Sequence, residues 1–266
     1  MSTEIISCLR VERQLRKSGR EKRRKLPNLR HIVALSGGKD SVAMALRLME
    51  VEPENDYEYV YTPTGNELPE MKQHILKLEG ILGKPIRDLA PQTLVQIIDK
   101  NQMLPNFWAR FCTRQIKIIP FEKFIRSIGE CVIYVGIRAD ETGDREGVDY
   151  DRLPGVKRRF PMDEWGWNIG DVLNYLECRG IVIPYRTDCA WCFFQKIYEW
   201  YMLWVNNIDL WIEGEEIEKK HGHTFRTPGR DSWPTSMEGL RLAFESGRVP
   251  KERNTKRTTM CAVCAR

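Results

Sequence analysis

Two sets of residues in this chain have types and spacing suited to chemistry. The first is Ser36-Gly37-Gly38-Lys39-Asp40-Ser41, which follows the apolar run His31-Ile-Val-Ala-Leu35. After it, apolar residues recur at Val42, Met44, Ala45, Leu48 and Met49, close to helical spacing. Two glycines permit a tight turn and leave no Cβ to obstruct a ligand. The N–H groups of such a turn, together with the positive end of the next helix, make an anion site. Ser36 and Ser41 add hydroxyls and Lys39 adds a cation. Asp40 stands where a metal counter-ion or a helix cap would be useful. The frame is not the Walker type, which needs Gly, four residues, then Gly-Lys-Ser/Thr. The second set is the cysteines, eight in all, at 8, 112, 131, 178, 189, 192, 261 and 264. Cys189-Ala-Trp-Cys192 and Cys261-Ala-Val-Cys264 are C-x-x-C pairs, a turn that directs both sulfurs at one ion or cluster. Cys112 lies beside Arg114 and Lys117, cations expected to lower its pKa and favour the thiolate.

These residues need a frame, and the hydropathy pattern supplies one. Strands are expected at 31–35, 57–61, 86–89 and 132–137, and helices at 40–50, 67–82, 93–100 and 115–128. The last helix is broken or restarted at Pro120. Such alternation implies βαβ units: an α/β fold with a parallel sheet and helices on both faces. Cys131 falls in a buried strand and reads as a core thiol. After about Gly143 the composition shifts. Residues 143–160 are polar and glycine-containing and read as a mobile loop. A helix is expected at 168–178, capped by Asn168 and ended by Gly180, with Cys178 as a packing residue. Another is expected at 197–205, where Tyr198, Trp200, Tyr201 and Trp204 read as core packing. From 227 onward the chain is loosely patterned. The division is a basic arm at 1–28, an α/β core at 29–143 that carries the glycine turn, and a mainly helical C-terminal region at 144–266 that carries the cysteine site.

Ser-Gly-Gly-Lys-Asp-Ser resembles the pyrophosphate (PP) loop of the ATP pyrophosphatase, or adenine nucleotide α-hydrolase, superfamily, whose members cleave ATP between the α and β phosphates. Further stretches sharpen this. Thr62-Pro-Thr64-Gly65-Asn66-Glu67-Leu-Pro-Glu-Met71 follows the second strand, and Gly136-Ile-Arg138-Ala-Asp140-Glu141 ends a later one. Both would lie at carboxyl ends of strands, where open α/β sheets bind ligands. With Arg110-Phe-Cys112-Thr-Arg114-Gln-Ile-Lys117 they look like the phosphoadenosine phosphosulfate (PAPS) reductase family. The resemblance covers roughly residues 30–205. It implies that Ser36, Gly37, Gly38, Lys39, Asp40 and Ser41 bind the phosphates, with Lys39, Asp40 and Arg138 catalytic. Thr64 and Gly65 would lie near the nucleotide, and Arg138 would contact its phosphate or sulfate end. A strand-end arginine can also merely pair with Asp140 or Glu141 on the surface.

The resembling family holds two chemistries. Reductases take an activated sulfate from a nucleotide and reduce it to sulfite, using a thiol on a C-terminal Glu-Cys-Gly-type motif. This sequence shows Cys261-Ala-Val-Cys264-Ala-Arg266 instead. The other branch uses ATP with Mg²⁺ to activate an oxygen that sulfur then replaces, in nucleic-acid thiolation or DNA phosphorothioation. The loop favours that branch. The resemblance also implies a [4Fe–4S] cluster on Cys112, Cys189, Cys192 and one of Cys261 and Cys264. A structural Zn²⁺ on the two C-x-x-C pairs and a redox-active pair at the tail are the alternatives. His221-Gly-His223 lacks further spaced ligands and reads as surface.

Charge bounds the partners. The net charge is +5, but residues 10–30 hold ten Lys/Arg against two Glu. Such a segment is either simply solvated or contacts polyphosphate backbones, so nucleic acid is an expected partner. A sulfur donor such as a cysteine desulfurase is a second. No segment approaches the ~20 apolar residues of a membrane helix, and the N-terminus lacks an apolar core, so the protein is expected to be cytoplasmic, without a membrane partner. A thiol-dependent reductase and a non-catalytic nucleotide- and nucleic-acid-binding regulator are the competing functions.

Overall fold

A computed structural model describes residues 29–141 and 153–252. Five parallel strands form one sheet: β1 (Arg30–Ala34), β2 (Tyr57–Tyr61), β3 (Ile86–Asp88), β4 (Cys131–Tyr134) and β5 (Val156–Arg159), in the order β3-β2-β1-β4-β5. Parallel neighbours need long crossovers, and helices supply most of them. α1 (Lys39–Val51), α2 (Pro69–Leu82) and α3 (Leu94–Asn101) connect or follow the first three strands. A π-helical stretch at Thr113–Ile118 runs into α4 (Ile119–Ile128), which leads to β4. Pro120 sits in the first turn of α4, where its missing N–H costs nothing. The expected restart at this proline is therefore present, joined to a wider, under-wound turn before it.

Helices cover both sheet faces. On one, Val33, Tyr59, Val132 and Tyr134 pack with α1, α2 and, from later in the chain, Met162 of the short α5 (Pro161–Glu164) and α6 (Ile169–Cys178). On the other, Ile32, Val60, Cys131 and Ile133 pack with Phe121, Phe124 and Ile125 of α4. Cys131 is fully buried, as a core thiol should be. A second core gathers α3, the π-helical turn and three further helices: α7 (Ile197–Asn206), α8 (Ile208–His221) and α9 (Met237–Glu245). Trp191, Trp200 and Trp211 are fully buried within it.

Three sequence expectations need correction. The segment read as a loop at 143–160 contains β5, whose Val-Lys-Arg-Arg lacks the apolar run of a central strand because it lies at the sheet edge. Arg159 leaves that edge to pair with Glu52 and Glu164. The loosely patterned tail contains α9, capped by Ser236, whose Oγ accepts from the Gly239 N–H. α8 was not foreseen at all. Its sequence is rich in Glu and Lys, yet its buried side holds Trp211, Ile217 and two carboxylates. Asn168 caps α6 with a reciprocal capping box, as expected, and Thr93, which the sequence reading did not single out as a cap, does the same for α3. Cys178, at the end of α6, is disulfide-bonded rather than a plain packing residue. The basic arm and Cys261 and Cys264 lie outside the described residues. No helix among the described residues is long and apolar enough to cross a membrane.

Candidate functional site

The strand order runs outward from β1 to β3, then returns to β4 on the opposite side of β1. The chain segments leaving β1 and β4 therefore diverge, and such a switch point opens a crevice at the carboxyl ends of the strands. Ser36–Ser41 leaves β1 at that point, and Gly136–Glu141 leaves β4 there.

The turn is shaped by its own serines. Ser41 Oγ accepts from the Ser36 N–H at 3.1 Å and donates to the Gly38 carbonyl at 3.0 Å. Ser36 Oγ lies 3.0 Å from Ser41 Oγ and accepts from the Gly38 N–H. Gly37 takes φ +72°, and a Cβ there would stand 2.0 Å from Met71 Cε. Gly38 is the N-cap of α1 and no side chain caps the helix, so Asp40 is not the cap. The N–H groups of the first turn, Lys39 to Ser41, lie at the helix start, where the helix itself supplies no acceptor and its field favours negative charge. At Gly136 a Cβ would come 3.1 Å from the Ser41 nitrogen, so the segment leaving β4 lies directly against this helix start.

Asp40 organises the cations. One oxygen accepts from Lys39 Nζ at 3.0 Å and the other from Arg138 at 3.0 Å. Arg138 also pairs with Asp140 at 2.8 Å and Glu141 at 2.9 Å. Both pairings open to a strand-end arginine are thus present, but with the guanidinium only 3 % exposed and tied across to the turn. Burial opposes its charge. The hydrogen bonds and charges of Asp140 and Asp40 outweigh that and hold its pKa above the ordinary value.

Two residues of α2 that the sequence reading missed support the turn from below. His74 Nε2 lies 3.1 Å from the Gly37 carbonyl, and burial lowers its pKa, so the neutral ring donates this bond. Met71, fully buried, fills the space a Gly37 side chain would take. Their signal was the apolar face of α2, which carries no mark of its ligand-side role.

Thr64 and Gly65 begin the segment after β2. The Thr64 N–H and hydroxyl both donate to Glu67, at 2.5 and 2.7 Å. Gly65 takes φ +77° beside Thr93. Asn66 is buried, and its Nδ2 has no hydrogen-bond partner among the described residues, an expensive state that a ligand would relieve. This segment meets the first C-x-x-C: Glu67 forms a β-bridge with Cys189, and the Ala190 N–H donates to the Asn66 carbonyl at 2.8 Å.

Cys112, far in sequence from Cys189 and Cys192, lines one cavity with them, together with Thr64 and Lys117. Trp191, Phe193 and Phe194 also line it. All three thiols are free. Trp191, between the two cysteines of the pair, is locked by a 2.8 Å bond from its indole N–H to the Leu210 carbonyl and by stacking on Phe225. Arg186 braces the turn through Asp188 and the Cys189 carbonyl. The expectation for Cys112 is overturned: burial pushes its thiol up, Cys192 adds to this, and Lys117 opposes without prevailing. Arg114 points to solvent and is exposed. The Cys189 thiol is pushed well above its ordinary value by its hydrogen bond to Cys192, by burial and by that neighbour's charge.

Among the described residues no three Cys, His, Asp or Glu side chains are grouped to hold one metal ion. A single zinc, with Zn–S bonds of about 2.3 Å, needs its sulfurs close together. A cluster binds each sulfur to a different iron and spreads them around a cavity. Cys112 and Cys189, whose thiols are pushed up by burial and a neighbouring cysteine, line this cavity with Cys192, and three soft sulfur donors around one cavity fit a cluster. His221 does not join it; its ring contacts Asp99 at 3.0 Å.

A family model described as "Phosphoadenosine phosphosulfate reductase domain" matches residues 30–185. No curated protein matches the chain. Among solved structures, the phosphate complex of phosphoadenylyl-sulfate (PAPS) reductase from Candida auris is 15% identical, covering 69% of this chain and 89% of its own, at a TM-score of 0.47. The U34-tRNA thiolase NcsA from Methanococcus maripaludis, with its [4Fe-4S] cluster, is 18% identical, covering 98% of this chain and 88% of its own, also at 0.47.

Proposed function

The chain belongs to the phosphoadenosine phosphosulfate reductase domain family, and from that premise we propose that it splits MgATP into AMP and pyrophosphate to activate a nucleic-acid oxygen for replacement by sulfur. The observation that carries the reading is the pairing of two sites: a glycine turn at the start of α1 with its Lys39–Asp40–Arg138 chain, and a cavity lined by three cysteines.

The chain's residues divide the work. The N–H groups of Lys39 to Ser41 receive the β and γ phosphates, where the field of α1 favours negative charge. Lys39 and Arg138, both held by Asp40, face the charge that grows on the departing pyrophosphate; such preorganised donors are worth most where charge develops. The acceptor oxygen attacks the α phosphorus, the α–β anhydride bond breaks, and pyrophosphate leaves. A hydrosulfide-level sulfur then attacks the acceptor carbon or phosphorus, and the oxygen departs on AMP. The exchange involves no net oxidation. Cys112, Cys189 and Cys192, with Cys261 or Cys264 as fourth ligand, would hold a [4Fe–4S] cluster. When bound, such a cluster supplies Lewis-acidic iron able to present sulfur. Burial by Trp191 and Phe193 keeps bulk water from that position.

Labelled ATP tests the reading: AMP and pyrophosphate are the expected products, and release of ADP alone would sink it. A second reading, thiol-dependent reduction of PAPS or adenylyl sulfate to sulfite, is favoured by the Cys189–Cys192 hydrogen bond, a thiol pair able to give up two electrons as a disulfide. Sulfite formed from either nucleotide with a thioredoxin donor selects it. A regulator without turnover is selected if Asp40→Ala keeps full biological activity.

A further inference from the structure

The thiol cavity opens beside an aromatic chain whose outer rings the proposed reaction does not use. Trp108 is 86 % exposed, the highest value among the large hydrophobic residues described. Single exposed rings are ordinary, but this one is the end of a series. Trp108 meets Phe107 edge-on at 5.3 Å, Phe107 meets Phe194 at 5.9 Å, and Phe194 meets the buried Phe193 at 4.5 Å. Phe193 and Phe194 are walls of the cavity that holds Cys112, Cys189 and Cys192. The rings thus lead from solvent to the thiols.

The backbone at the outer end is pinned. Asn106 Oδ1 accepts from the N–H groups of both Trp108 and Ala109 at 2.9 Å, and the Asn106 N–H donates to the Ala109 carbonyl. A ring carried on a pinned backbone has only its side-chain torsions to lose when something stacks on it. The flanks are cationic. The Arg110 guanidinium lies 5.2 Å from the Phe194 ring centroid. Arg230 is exposed and donates to the carbonyls of Phe193 and Phe194 at 2.9 and 3.2 Å. Lys117 is on the cavity wall, and no carboxylate lines it.

We infer that Phe107, Trp108 and Phe194, flanked by Arg110 and Arg230, stack an unpaired nucleobase of a single-stranded acceptor and direct it toward the thiol cavity. This rests on the reading that the acceptor is a nucleic acid and narrows it. A base offers its face to such a ring only when it is out of a duplex, and ring-plus-cation surfaces are how proteins hold single strands. The two guanidiniums, both beside Phe194, supply the positive charge that the phosphates of such a strand need. The sulfur acceptor is accordingly a position on a base rather than a backbone phosphate.

The test measures binding of the full chain, without ATP, to a short labelled single strand of about 12 nucleotides and to the duplex of the same sequence, at fixed salt. Trp108→Ala is expected to weaken single-strand binding about tenfold, Trp108→Phe to retain most of it, and duplex binding to stay the same in all three proteins. Trp108 is exposed, so neither change threatens the fold. Single-strand affinity unaltered by Trp108→Ala, an equal loss on the duplex, or no single-strand binding by the unmodified chain would each overturn the inference. Failure here is separable from failure of the reaction: pyrophosphate release with an inert Trp108 removes only the platform, and a Trp108-dependent affinity without pyrophosphate release removes only the ATP chemistry.

Discussion

Arg138 is where the fold and the proposed reaction depend on the same atoms. It is nearly inaccessible and touches three carboxylates, of which Glu141 is also buried. Removing one partner of a buried charge cluster leaves the others uncompensated and costs about 3–5 kcal/mol. Arg138→Ala is therefore expected to lower unfolding free energy by about that amount in a denaturant titration, as well as to abolish pyrophosphate release. Asp40→Asn separates the two. It keeps the shape, weakens the hold on Lys39 and Arg138, and is expected to reduce pyrophosphate release about 100-fold with a far smaller change in stability. The cysteines give a spectroscopic reading. Serine at Cys112, Cys189 or Cys192 is expected to remove the broad visible absorption and the bound iron of anaerobically purified protein. A colourless unmodified protein carrying one zinc would refute the cluster. At this scale much was legible. Ser36–Ser41, Arg138 and the first C-x-x-C carry their chemistry in their residue types. His74, Asn66 and Met71 do not, because their roles come only from what lies across the crevice.

Among the elements, the segment joining β1 to α1 is the most constrained. Gly37 has a positive φ that a side chain resists, and an added Cβ would meet Met71 Cε. Gly37→Ala is expected to cost about 1–2 kcal/mol in thermal unfolding, and to weaken ATP binding because the turn must shift. The helices and strands legible in the sequence were those with a clear period or cap: α1, α2, α3, α6 and the central strands. β5 was illegible because an edge strand of Val-Lys-Arg-Arg has one buried face at most and finds its partner, β4, only in the fold. α8 was hidden because its buried side includes Glu215 and Glu218, whose partners come from elsewhere in the second core.

Over the whole molecule, that second core brings a pH dependence. Glu218 accepts from the N–H groups of Phe225 and Met237, joining three segments, yet burial pushes its pKa up to about 7 from the ordinary 4.5. Between those values the folded chain holds a proton that the unfolded chain has released. This contribution to stability is therefore complete below about pH 4.5 and is lost as pH rises toward about 7. Urea midpoints measured across that window should fall with rising pH, and Glu218→Gln should flatten the slope. An unchanged slope in the variant would mean another group is responsible. The second core also carries the cysteine pair to the sheet: the Glu67–Cys189 bridge and the Ala190–Asn66 hydrogen bond fix it to the segment after β2.

The sequence by itself determined the α/β class, the glycine turn after the first strand and the cysteines available to a site, because these depend on local period, on glycine and on the side chains present. Only the tertiary structure decided that the segments after β1 and β4 face one crevice, since strand order is set by which edges pair and not by any local signal. It alone decided that Cys112 is a suppressed thiol, because burial, which depends on residues far away in sequence, outweighs the lysine one turn along. And it alone set Trp108 beside the thiol cavity, through contacts between rings that the chain separates by more than eighty positions.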